Sequence, residues 1–237
     1  MSPRLSPLPD RFAATVASLH RVAAVLVAPE RKPANEIALA ATPGGFGTPE
    51  FEFAGARQRV RVEAAELVRE VDCQERRASL QALAEAGDLI ADLLPAGAEL
   101  RDEPLEVAAA ASAVLGQWYA LGDAVLSQLV AAAGPADEVT PPRLWPEHFD
   151  IAIELGSEAA GVRANYGFSP GDDDHPEPYA YVGPWSAEVS GELWNAGGFK
   201  GAELTYADLL AAADPEALAL AFFEARRDAL AAWAAGD

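Results

Sequence analysis

Apolar residues recur at helical spacing near the start of the chain, where Phe12, Val16, Leu19, Ala23 and Val27 fall on one face. The pattern predicts an amphipathic helix packed on a core. His20 and Arg21 interrupt the apolar run, which argues against a signal peptide, and His20 is expected to be a satisfied histidine of that helix. Period-two alternation then takes over through Ile37 and Leu39, Phe51 and Phe53, and Val60 and Val62. With Ala54–Arg57 as a hairpin loop, Phe53 faces Gln58 and Phe51 faces Val60. Glu52 and Glu50 then meet Arg59 and Arg61.

Leu80, Leu83, Ile90 and Leu94 predict a helix from Glu75 to Leu94, closed by Pro95. A second, alanine-rich helix is expected from "DEPLEV", with Pro104 in its first turn, to Gly134. The alternation returns in "FDIAIEL", where Phe149, Ile151, Ile153 and Leu155 share a face, and in Val162, Ala164, Tyr166 and Phe168. Pairing Leu155 with Val162 sets Glu154 opposite Arg163. "PYAYVG" supplies a third strand. A short helix is expected near Tyr206, and Asp214 with Pro215 opens a longer terminal one.

Runs of strands separated from runs of helices indicate an α+β fold: two antiparallel three-stranded meanders packed with long Ala-rich helices. The chain reads as one domain over 1–237. The proline-rich stretch 135–143 is a candidate linker between sub-divisions 1–134 and 144–237.

Composition changes the picture in three ways. The 237 residues are 51% hydrophobic, enough for a sizeable core. A net charge of −20 argues against nucleic acid and anionic membrane surfaces and favours a cationic small-molecule ligand or a basic protein partner. The single cysteine, Cys73, excludes an intrachain disulfide and a CxxC site, and is expected to lie just before a helix. The longest apolar stretch, Leu105 to Ala133, carries Gln117, Asp123 and Gln128 and lacks basic flanks, so it reads as a buried helix. A soluble, cytoplasmic protein is the expectation.

Two glycine-rich stretches carry no phosphate chemistry. "TPGGFGTP" (Thr42 to Pro49) precedes a strand where a dinucleotide fingerprint needs a helix, so it reads as a hairpin turn. "NAGGFKG" (Asn195 to Gly201) lacks the Walker spacing and reads as a loop. Gly167-Phe168-Ser169-Pro170-Gly171 matches the G-x-S-x-G nucleophile elbow. However, the residue after the serine, which should lend its N–H to an oxyanion, is a proline.

The stretch "YGFSPGDDDHPEPY" offers a metal reading. An antiparallel meander brings the start of its first strand beside the end of its second. Glu147 and His148 then approach the loop carrying Asp172, Asp173, Asp174, His175 and Glu177. His148 and His175 would supply nitrogen, and Asp172 and Asp174 oxygen, to a divalent ion such as Zn, Mn or Fe. Trp145 and Tyr179 would line an adjacent ligand-binding wall. The competing expectation is a solvated turn, for which Ser-Pro-Gly and Asp are suited.

The segments "ATPGGFGTP", "LWPEHFD", "RANYGFSPGDDDHPEPYAYVGPW" and "LWNA" resemble those of an uncharacterised actinobacterial protein family with no assigned activity. Fifteen Arg against two Lys fit a high-GC source. The resemblance implies no reaction. The DinB-like four-helix metal proteins are a poorer comparison, because their metal histidines sit on bundle helices and only His20 is helical here. The residues therefore support a small-ligand- or partner-binding protein without evident catalysis. A metal-dependent, hydrolase-like enzyme using the 145–179 region and an acidic interaction protein are the alternatives.

Overall fold

The computed structural model describes residues 5–28, 37–95, 97, 99–172, 175–186 and 188–235. Helices account for 35% and antiparallel sheets for 26%, so neither class dominates and the fold is mixed α+β. The chain divides into two compact units. One comprises Ser6–Ala120 with Arg143–Phe149, the other chiefly Leu121–Pro142 with Asp150–Asp237.

In the first unit, helix α1 (Phe12–Val22) buries Phe12, Val16, Leu19 and Val22, the face its apolar spacing defines, and runs on through a π turn at Ala23–Val27. His20 is satisfied on that helix: Nε2 hydrogen-bonds the Pro146 carbonyl (2.8 Å) and the ring stacks on Phe149 at 5.1 Å. Strands β1 (Ala40–Thr42), β2 (Gly45–Gly47), β3 (Phe51–Phe53), β4 (Ala56–Glu63), β5 (Glu66–Val71) and β6 (Gln74–Ser79) form one sheet in the order β1-β2-β4-β5-β6. β2 and β3 pair with opposite ends of the long β4. Pro43 and left-handed Gly44 (φ 78°) close the β1–β2 hairpin, the arrangement a type II turn requires, so "TPGGFGTP" is a turn as its proline and following strand imply.

Helix α2 (Leu83–Gly87) is short, and α3 (Ala109–Ala132) begins in this unit and ends in the other. Strand β7 (Arg143–Trp145) meets Leu39 through the Leu39–Leu144 bridge. Phe46, Tyr119 and Phe149 pack edge to face, with centroids 5.0–6.3 Å apart, and the Tyr119 hydroxyl donates to the Phe149 carbonyl (2.6 Å).

The second unit holds β8 (Asp150–Leu155), β9 (Ala164–Ser169), β10 (Tyr179–Pro184) and β11 (Ala202–Thr205), followed by α4 (Tyr206–Ala211) and α5 (Pro215–Ala235). These are four strands of a five-stranded sheet and run in the order β11-β10-β9-β8. Ile151, Ile153, Tyr166, Phe168, Ala180 and Val182 form its buried face. Phe223 of α5 packs against Tyr166 and Phe168 at 5.8 and 5.5 Å. The Cβ that Gly122 lacks would stand 2.8 Å from Ile151 and 3.1 Å from the Phe168 ring, so this glycine lets α3 lie directly on the strands. Asp214 caps α5 by accepting from the Ala217 amide (3.0 Å), and Pro215 opens the helix as expected.

Several expectations are corrected. The two three-stranded meanders are replaced by sheets of six and five strands. The helix expected over Glu75–Leu94 is strand β6 followed by α2. Its apolar markers all fall at or after Leu80, whereas Gln74–Ser79 pairs with β5 residue by residue. Cys73 therefore precedes no helix. It lies exposed in the β5–β6 turn, where Asp72 and Cys73 are both left-handed. The Ala-rich helix starts at Ala109, and Pro104 instead bridges Ala82.

Both hairpin registers are displaced by two residues. Phe51 pairs with Gln58 and Glu52 with Arg57 around the tight Ala54–Gly55 turn, and Leu155 pairs with Ala164. A shift of two keeps every side chain on its face, so the buried positions survive the change of partner. Phe51 and Val162, expected inside, are only half-buried.

Candidate functional site

The sheet of the second unit is two-faced because β10 alternates. Ala180 and Val182 point to the helices, and Tyr179 and Tyr181 to the opposite side. Register places Ser169 and Gly167 of β9 beside these tyrosines, and Thr205 and Glu203 of β11 on their other flank. The Tyr181 ring crosses β9 at Gly167, where a Cβ would lie 2.6 Å from it, and its hydroxyl donates to the Asp150 carboxylate of β8. Only a residue without a side chain permits that crossing.

Phe199 completes an aromatic cluster. Its centroid is 6.4 Å from that of Tyr179 and 6.2 Å from that of Tyr181, and the two tyrosines are 6.1 Å apart. The loop carrying Phe199 is pinned to the edge strand by Asn195. Its amide donates to the Glu203 carbonyl and accepts from the Glu203 N–H, each at 3.1 Å, as a neighbouring strand would.

His175 adds a fourth ring, 4.1 Å from Tyr179. Its Nδ1 hydrogen-bonds the Glu177 carbonyl (2.9 Å) and its Nε2 lies 3.7 Å from the Glu203 carboxylate. The turn beneath it is closed by Asp172, whose carboxylate accepts from the His175 N–H (2.8 Å) and whose own N–H donates to the His175 carbonyl (2.9 Å).

Electrostatics set what these groups can do. Burial, reinforced by the adjacent Asp150 charge, holds the Tyr181 phenol well above its ordinary range. Burial also raises Tyr179, with Ser169 as a hydrogen-bond partner pulling the other way. Both phenols stay protonated at neutral pH. They offer hydroxyls and π faces, not a base or a nucleophile.

The residues expected from sequence divide between the units. Asp172, His175, Glu177 and Tyr179 come together in the second. Trp145, half-buried on β7, and the exposed Glu147 and His148 of the following turn belong to the first. Asp173 and Asp174 lie outside the described residues. Among the described residues, no group of three or more His, Cys, Asp or Glu side chains is placed to hold a metal ion. Ser169, the serine of the G-x-S-x-G match, accepts from the Gly171 N–H (3.2 Å) and is followed by a loop, not by the elbow's helix.

Sequence reasoning missed Asp150, Tyr181, Glu203 and Phe199. The signal for Tyr181 was the Tyr-Ala-Tyr alternation itself, which puts two phenols on the face opposite Ala180. Phe199 and Glu203 sit in and after a stretch read as a loop, and nothing local marks the strand that follows it. Comparison with family models, curated proteins and solved structures returns no match, so the site is read from its geometry.

Proposed function

We propose that this chain is a binding protein that takes a small organic cation on the aromatic, acidic face of its second sheet. The observation that supports this most directly is the clustering of Tyr179, Tyr181 and Phe199 beside the carboxylates of Asp150 and Glu203. Aromatic faces attract cations through their quadrupoles, at about 0.5–1 kcal/mol per exposed ring. Nearby carboxylates add to the same potential, and the −20 net charge draws cations toward the surface. Phenols held in the neutral form suit recognition better than proton abstraction.

Tetramethylammonium is the simplest probe. Two or three rings and a carboxylate together supply about 2–4 kcal/mol, which corresponds to a Kd between about 1 and 35 mM. At ten times Kd, binding stabilises the fold by about 1.4 kcal/mol and raises Tm by about 3–5 °C. Sodium chloride at equal ionic strength is the control. Equal shifts with both salts, or a tetramethylammonium shift that survives Tyr179→Ala and Phe199→Ala, would refute the reading.

A further inference from the structure

A second feature of the same unit lies away from the aromatic cluster. A groove of about 450 Å³ runs between α5 and the loop before β11. Ala229, Ala232 and Trp233 of α5 line it together with Leu193 and Trp194 of the loop. Trp233 and Leu193 are 44% and 41% exposed, an unusual display for side chains of this size in adjoining positions.

The groove is built rather than incidental. Arg226 donates from Nε to the Leu193 carbonyl (3.1 Å) and from Nη1 to the Phe222 carbonyl (3.2 Å), and its guanidinium sits 4.0 Å over the Phe222 ring. That one side chain ties the loop to the helix.

Its charge is one-sided. Among the described residues, Glu188 and Glu192 are the ionisable side chains of the lining. Glu188 is paired with Lys200 (2.6 Å), and Arg227 is drawn to Asp228 (2.9 Å). Among the described residues, Glu192 has no ion-pair partner. From this complementarity we infer that the groove docks a basic protein segment in which arginine or lysine alternates with a large apolar residue. The apolar side chain would fill the space over Ala229 and Ala232, and the cation would meet Glu192 at the rim. A second copy of this chain is a poor occupant, because it would bring another −20 of net charge to an acidic rim.

The test uses the full chain and a fluorescein-labelled octapeptide of alternating Arg and Leu, followed by anisotropy in 50 mM NaCl. The expected result is saturable binding that weakens about tenfold or more with Trp233→Ala, with Glu192→Lys, and on raising salt to 300 mM. Both positions are exposed, so Tm should stay at the wild-type value and separate lost binding from lost folding. Phe199→Ala, which disables the proposed cation site, should leave the peptide affinity unchanged. Three outcomes would overturn the inference: no saturable binding, binding indifferent to both substitutions, or equal binding of a peptide with Glu in place of Arg.

Discussion

The hydroxyl of Tyr181 on β10 reaches over Gly167 on β9 to donate to the carboxylate of Asp150 on β8. One side chain thus ties together three strands on the face opposite Ala180 and Val182. It also fixes the plane against which Phe199 packs edge-on.

Tyr181→Phe tests the cost of that tie. The ring and its packing remain, but the buried Asp150 loses a charge-assisted hydrogen bond. The expected loss is about 1.5–3 kcal/mol in urea unfolding. A double-mutant cycle with Asp150→Asn should show coupling of the two sites, and additive effects would contradict a direct interaction.

Stability should fall in alkali earlier than for a chain with exposed tyrosines. Tyr166 and Tyr181 have folded-state values raised above the ordinary one near 10, mainly by burial. Their contribution is fully present below pH 10 and is lost as pH climbs toward the raised values, because the unfolded chain ionises first. Absorbance titration at 295 nm should show these phenolates appearing late or only on unfolding. Tyr166→Phe should reduce the alkaline loss.

A complementary acid transition is expected from the first unit. Glu63 and Glu75 are held below their usual range by hydrogen bonds and charge from Arg61 and Arg77, which converge on both carboxylates at 2.6–2.9 Å. Lowered carboxylate values mean stability that is present above about pH 4.5 and disappears as pH falls through them. Urea melts from pH 6 to pH 3 should show the decline, and Arg77→Gln should flatten it. High salt should do the same in part, since both carboxylates and Arg77 are partly exposed.

Arg69 is a buried strut of the same unit. It holds Asp92 through two bonds (2.5 and 2.8 Å), takes two more to the Gln58 side-chain oxygen, and donates to the Leu89 carbonyl. Arg69→Ala should destabilise by about 2–3 kcal/mol, from lost packing as well as lost charge. Arg76→Ala, on the outer strand β6, is the control and should stay within about 0.5 kcal/mol.

His175→Ala separates the aromatic reading from a metal centre. Loss of the ring against Tyr179 should cost about 0.5–1.5 kcal/mol, and the loss should be equal with and without EDTA. Elemental analysis of untagged protein is the companion measurement. Stoichiometric Zn, Mn or Fe that disappears in both His148→Ala and His175→Ala would favour the metal reading instead.

The sequence by itself determined the facing of most core positions and which helices form at the ends of the chain, although Phe51 and Val162 are buried less than their alternation implies. Phe12, Val16 and Leu19 bury the face their spacing defines, and Asp214 with Pro215 starts α5 where cap chemistry places it. Ile151, Ile153 and Tyr166 alternate into the core because side-chain direction in a strand depends only on parity.

Register was not local information. It depended on how many residues each turn consumed, and Ala54, Ala64, Asp72 and Cys73 adopt left-handed turn conformations that their residue types do not announce. Strand β6 was illegible for a related reason. Its "QERRAS" carries no large apolar residue, as suits a charged edge strand, and it is a strand because β5 offers it a ladder.

The aromatic site was decided last of all. Tyr179 and Tyr181 could be put on one face from sequence, but Asp150, Gly167, Glu203 and Phe199 join them only when four strands align. A site assembled across a sheet depends on long-range pairing, and a single stretch of sequence carries no record of its neighbours.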